Sequence, residues 1–307
     1  MPLTGRGRKT LWIYTGVFLF MGLLVITVPV DAMPLLVCLP ALFSAYSDRI
    51  GKPVAALAAA LAPALLAFVP GYAGSVIIYL FVIALGVLFH RLLGRGSINL
   101  AVLVPSSLVL AFAFTSILYL AAGQGVAIGA LISQWVGGFF DQLMSVYRQT
   151  SSEGVIREMT AFRERMEGYA VKLFWGLLAS SLLSLMWVNL LIANGVNRRY
   201  PLGRWRCPDW VVGLFILSGV LSLVSYGGVS AVGLNLLIVV LQVYFFQGMA
   251  IASSFMAHHE WSRFIRAIVY VLILTQIYIM IGIAGLGLFD TWFDFRKRIR
   301  DSEGDKT

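Results

Sequence analysis

From Asn235 to Glu260 the chain reads NLLIVVLQVYFFQGMAIASSFMAHHE, and no charged residue interrupts it before Glu260. A run of this length and apolarity reaches the roughly 20 residues that span a bilayer. Its backbone has to be helical, because hydrocarbon offers no partner to a free N–H or C=O. Three side-chain amides, those of Asn235, Gln242 and Gln247, sit inside the run. An amide placed there has to bond something, either another helix or a ligand.

The same pattern recurs along the chain. Apolar runs cover Leu11–Val30, Met33–Ser47, Val54–Val69, Ser75–Leu93, Ile98–Ala122, Ala170–Asn194, Val211–Tyr226, Val229–Ala257 and Phe264–Leu288. Only 12% of the 307 residues are charged, against about 25% in a soluble domain. The expectation is an all-α polytopic transmembrane bundle of eight to nine spans, forming a single membrane domain over 1–307. Its parts are a first helix group at 11–122, an amphipathic extramembrane insertion at about 123–168, a second helix group at 170–288 and a polar tail at 289–307. The first run resembles a signal peptide, but its length and the run that follows at once favour an uncleaved first helix.

In the insertion, Ile128, Leu131, Trp135, Phe139 and Leu143 share one helical face. A second polar helix, Ser152 to Tyr169, carries the stripe Val155, Met159, Phe162, Met166 and Tyr169. Its acidic and basic residues nearly balance, which suits a helix lying on the membrane surface or covering the bundle. Elsewhere, small residues recur every four positions, as at Ala55/Ala59, Ala56/Ala60, Ala58/Ala62 and Gly176/Ser180/Ser184, and let helices approach closely.

The net charge of +9 comes from Lys and Arg in short loops and tails. That is the positive-inside pattern, with anionic headgroups as natural neighbours, and it places the N-terminus in the cytoplasm. Nucleic acid is not an expected partner, since no basic domain with aromatic platforms exists. Nine spans would put the basic tail outside; eight, with one of the last runs re-entrant, would bring it in.

Chemistry-bearing motifs are sparse. His258-His259-Glu260 lacks the further His that a zincin helix needs, because position 263 is Arg. The glycines of 123–125 and 282–287 follow no strand and no Walker Lys-Ser/Thr is present, so neither makes a nucleotide loop. No catalytic residue, metal site or cofactor is expected. What remains mid-span is neutral and polar: Asn189, Asn235, Gln242 and Gln247. Two readings stay open. These amides bond helices together, or Asn235, Gln242 and Gln247 line a pocket for an uncharged or zwitterionic ligand. Asn235 and Gln242, seven apart, share a face; Gln247 points about a third of a turn away.

Two stretches carry a family resemblance. Tyr244-Phe245-Phe246-Gln247-Gly248-Met249-Ala250, with Gly287-Leu288-Phe289-Asp290-Thr291-Trp292-Phe293-Asp294-Phe295-Arg296-Lys297-Arg298 after the next span, resembles the C-terminal signature of the YybS-like family of predicted bacterial membrane proteins. Pro208-Asp209-Trp210 is similar too. Gln247, Gly248, Asp290, Asp294 and Arg296 are the matching motif positions. The resemblance implies a bacterial inner-membrane location. It also implies distant kinship with the S components of energy-coupling-factor transporters, which bind a small molecule and dock on a separate coupling subunit. The expected function is therefore non-enzymatic: binding or helping to transport a small neutral or zwitterionic solute, with the bilayer and a coupling subunit as partners. The alternative is a membrane scaffold or regulatory protein without a ligand.

Overall fold

The computed structural model describes residues 12–13, 15–17, 19–20, 22–24, 27, 33–51, 59–61, 63–65, 71–150, 152–197, 200–226, 228–293 and 295. Among these, all regular structure is helical. In chain order the helices are α1 (Met33–Ile50), α2 (Ala73–Gly94), α3 (Ile98–Gln124), α4 (Ile128–Thr150), α5 (Glu153–Lys172), α6 (Phe174–Asn197), α7 (Val211–Leu223), α8 (Val229–His258), α9 (Arg263–Thr275) and α10 (Ile277–Phe293). A 3-10 turn, Leu202–Arg204, precedes α7. The chain forms two compact units, residues 1–108 with 183–200, and residues 109–182 with 201–307.

The expected span count of eight to nine is not met. Among the described residues, four helices are long and apolar enough to cross a membrane: α2, α3, α6 and α8. A fifth span exists if α9 and α10 are taken together. Three of the runs depart from a straight span for a local cause. The run Met33–Ser47 does become a helix, but α1 runs on into Asp48 and Arg49, which lower its hydropathy. α7 has 13 residues and stops where Val224 turns extended (φ −75°, ψ 114°). At 1.5 Å per residue it is about 20 Å long, short of a core of about 30 Å. The run Phe264–Leu288 breaks at Gln276 (φ −108°, ψ 108°), and the two halves meet at 101°. Just before the break, Thr275 Oγ1 donates to the carbonyls of Val271 and Leu272, a back-bonding that bends helices. The run Leu11–Val30 is represented by a short helix, Thr15–Leu24. Most of Val54–Val69, with Ala55, Ala56, Ala58 and Ala62, lies outside the described residues.

In the first unit, α1 packs on α2 around Leu39, Phe43, Tyr46, Val76 and Tyr79, with Ala59 buried among them. Gly86 allows the approach: a Cβ there would sit 3.3 Å from both Phe43 and the Pro40 backbone. Pro40 lies inside α1, where it weakens the backbone ladder. Asn189, fully buried, serves that weak point. Its Oδ1 accepts from the Ala41 N–H at 2.9 Å, and its Nδ2 donates to the Val37 carbonyl at 2.7 Å and to Leu185 at 2.9 Å. Ala41 and Val37 are the two groups that one turn of helix would join, so one amide supports both ends.

Asn189→Leu removes all three bonds and confronts two backbone groups with an apolar side chain. A loss of about 1–3 kcal/mol is expected. It should appear as a lower midpoint for thermal unfolding of the purified protein in mild detergent, with Asn189→Gln intermediate.

Candidate functional site

The second unit is organised on α8. Near its middle α8 crosses α10 with almost no space between the backbones. A Cβ added at Gly248 would fall onto the Ile283 carbonyl, and one at Gly287 onto the Tyr244 carbonyl. Tyr244 and Gly248 are one turn apart, as are Ile283 and Gly287, so each helix offers its glycine to the other's carbonyl. Gly282 and Gly285, on the same stretch of α10, have nothing within 4 Å of such a Cβ. Only one glycine of that cluster is spent on the crossing.

A closed polar network sits beside this crossing. Gln247 is fully buried and Asp290 is 1% exposed. Gln247 Nε2 donates to Asp290 Oδ2 at 3.1 Å, and its Oε1 accepts from the Cys207 backbone N–H at 3.1 Å. The second carboxyl oxygen of Asp290 accepts from the Phe295 N–H at 2.9 Å. The segment before α7 is therefore tied to both helices. Three more interactions hold it: Arg206 donates to the Thr291 carbonyl at 3.1 Å and pairs with Asp209 at 3.4 Å, while Ser254 Oγ donates to the Gly203 carbonyl at 2.8 Å. Around them Tyr244 packs with Cys207, Val211 and Val240, and edge-on against Phe215.

Asn235 and Gln242 face the other way, onto α6. Asn235 Oδ1 accepts from the Gly176 N–H, and its Nδ2 donates to the Lys172 carbonyl at 2.8 Å and to Ala231 at 2.7 Å. Lys172 closes α5 and Gly176 lies in the first turn of α6, so this one amide holds the junction of two helices. Gly176 has no room for a Cβ there. One turn on, Ser180 Oγ donates to Gln242 Oε1 at 3.1 Å. The four-residue spacing of Gly176 and Ser180 thus marks the face of α6 that meets α8. The structure brings Gln247, Gly248 and Asp290 together at one crossing, and places Asn235 and Gln242 at a different contact. Asp294 and Arg296 lie outside the described residues.

A cavity of this unit is lined by none of these predicted residues. It has a volume of about 740 Å³ and lies among the C-terminal turns of α8, the bend of α9 and α10, and the turn between α8 and α9. Ile251, Phe255, Ile273, Ile279 and Leu286 contribute apolar wall, and His258, His259 and Trp261 line it from the turn. The His258-His259-Glu260 stretch is a helix stop. Glu260 takes a left-handed conformation (φ 52°), its N–H reaches the Ala257 carbonyl, and the Trp261 N–H reaches the Met256 carbonyl. That is the Schellman pattern of helix termination. His259 Nδ1 donates to the Phe255 carbonyl at 3.0 Å, so in the neutral ring Nε2 is an acceptor. Sequence reasoning missed the cavity because its lining is mostly aliphatic and indistinguishable from packing; the sole signal was a polar stretch between two apolar runs.

The architecture defines a polytopic helical membrane protein whose long central helix is locked to the last one. The chain belongs to the family described as Predicted membrane protein (DUF2232), which matches residues 16–291. No curated protein and no solved structure matches it.

Gly248→Leu or Gly287→Leu should abolish folded, monodisperse protein in detergent gel filtration, while Gly282→Ala and Gly285→Ala leave the elution profile unchanged. Gln247→Leu takes one bond from the Asp290 carboxyl and one from the Cys207 N–H, and about 2–4 kcal/mol of stability should go, since bonds lost in a buried polar network cost more than an exposed bond is worth. The double variant Gln247→Leu/Asp290→Leu should lose less than the sum of the two single changes, which thermal midpoints for the full cycle will read.

Proposed function

We propose that this protein is a non-enzymatic membrane component that binds a small, largely apolar, neutral or zwitterionic solute in the cavity of α8, α9 and α10. The observation that carries this reading is the cavity itself. Its volume of about 740 Å³ falls in the range of about 300–1,000 Å³ typical of ligand sites, and its composition, apolar walls with few polar groups gathered at one end, is the usual one. His259 Nε2 and the Trp261 indole N–H give that end one acceptor and one donor, enough to orient a molecule without a charged partner.

Transport fits this picture as the role of an S-component-like subunit in a bacterial inner membrane, with its N-terminus in the cytoplasm. The chain carries no Walker-type loop, so energy would come from a separate coupling subunit. The turn at Gln276, with helices meeting at 101°, supports this reading, because a broken helix beside a binding site is a common device for opening and closing it. A second reading, a scaffold or regulator with no ligand, is favoured by one observation: Asn235, Gln242 and Gln247 all bond within the fold.

Native mass spectrometry of protein purified in mild detergent separates the two. A solute binder should release a bound small molecule, and Ile279→Trp, which puts an indole into the cavity, should reduce its occupancy at least tenfold while leaving helical content unchanged. Ala252→Phe fills the opposite wall and should do the same. A scaffold would show no bound molecule in any of the three proteins and would retain its protein partners in all of them.

A further inference from the structure

The hairpin of α4 and α5 leaves a broad apolar stripe uncovered. A soluble pair turns its apolar stripes inward and its charges outward. Here Phe140 and Met144 of α4 are buried, and an ion-pair network joins the two helices at an exposed edge, with the Asp141 side chain 68% and Arg163 28% exposed. Arg163 of α5 donates to Asp141 of α4 at 2.6 Å and to Glu167 at 3.2 Å, and Glu167 lies where a Cβ on Gly137 of α4 would be 3.2 Å from its oxygen. Four residues of the α5 stripe are exposed instead, Val155, Phe162, Met166 and Tyr169 at 36–59%, while Met159 is half-buried. On α4, Trp135, Phe139 and Val146 are 43–62% exposed and fall on one helical face. Phe140 and Phe162 bridge the helices as a ring pair, with centroids 6.5 Å apart.

The base of this hairpin is fixed to helices that span the membrane. Ile117 and Ala121, near the end of α3, pack with Leu131 at the start of α4, and Phe174 and Trp175 at the start of α6 join the same cluster. A single residue, Leu173, separates α5 from α6. Both helices of the hairpin therefore join directly onto α3 and α6, two helices long and apolar enough to cross a membrane. Their charges balance: Arg148, Arg157, Arg163, Arg165 and Lys172 against Asp141, Glu153, Glu158, Glu164 and Glu167. No excess charge pulls the pair into water or fits it to a charged partner. Trp135 and Tyr169, amphipathic rings on the exposed stripe, are the residue types that settle at headgroup depth.

We propose that the α4–α5 hairpin lies in the membrane interface, with the outward stripe of Trp135, Phe139, Val146, Phe162, Met166 and Tyr169 immersed in lipid. Lipid is the occupant that continuity with α3 and α6 selects, and burial in acyl chains removes from water an apolar face that a hairpin standing in solvent would expose. The hairpin then acts as a float beside the spans.

The test uses the full chain in vesicles of phosphatidylethanolamine and phosphatidylglycerol. Nitroxide labels are placed at Phe139→Cys, Phe162→Cys and Glu164→Cys in a Cys38→Ser/Cys207→Ala background, and their collisions with oxygen and with a water-soluble nickel chelate are compared. The proposal expects oxygen to dominate several-fold at 139 and 162, and the chelate to dominate at 164, on the opposite side of α5. Equal chelate access at all three positions would place the hairpin in water and overturn it. Exclusion of both probes at 139 and 162 would mean that protein, a partner or a second copy, covers the stripe, and would overturn it equally. An independent reading comes from the natural side chain. Brominated phospholipid should quench a component of the fluorescence that Trp135→Phe removes; an identical fractional quench in both proteins would sink the proposal without any labelled variant.

Discussion

A polar group in hydrocarbon has no water to fall back on, and most of the specific structure of this chain follows from where such groups find partners. Asn189 serves the helix weakened by Pro40. Asn235 holds the junction of α5 and α6. Gln247 joins α8 to Asp290 of α10 and to the Cys207 backbone. Each of these amides uses both its oxygen and its nitrogen, and each bonds segments far apart in sequence. Interhelical bonds in membranes average only about 0.6 kcal/mol, so their main effect is to choose which faces meet: a wrong pairing strands a buried amide.

Close backbone approach is the second organising force, and it works with the first. Gly248 and Gly287 bring α8 and α10 together until carbonyl and Cα touch. Only at that separation does the Gln247 amide reach Asp290. Beyond the crossing lies the bend at Gln276, and the cavity opens between that bend and the last turns of α8. A lock at one level of the helix pair and a hollow at the next are thus one construction. The rigid part holds the segment 201–210 in place; the hollow is where a molecule has room to sit.

Much of this was readable in the chain. The all-helical class follows from runs that no other backbone arrangement can carry through lipid. Gly176 and Ser180 announced their contact by spacing, and Gln247, Gly248 and Asp290 stood out as motif positions. The number of spans did not follow, because hydropathy counts residues and does not see the extended torsions of Gln276 and Val224. Nor did the cavity: Ile251, Ile273 and Ile279 are as ordinary in sequence as any lipid-facing isoleucine.

The sequence by itself determined that the chain is a bundle of helices in a membrane, and which few polar residues would need partners inside it. Solvent decides those points, and solvent preference is a property of each residue in turn. Tertiary structure alone decided that Asn235 and Gln242 turn to α6 while Gln247 turns to α10, and that most of the apolar stripe of α5 is left uncovered. Partner choice depends on the angle and distance at which two helices cross. Those are set by glycines and bonds on both helices at once, which no single stretch contains.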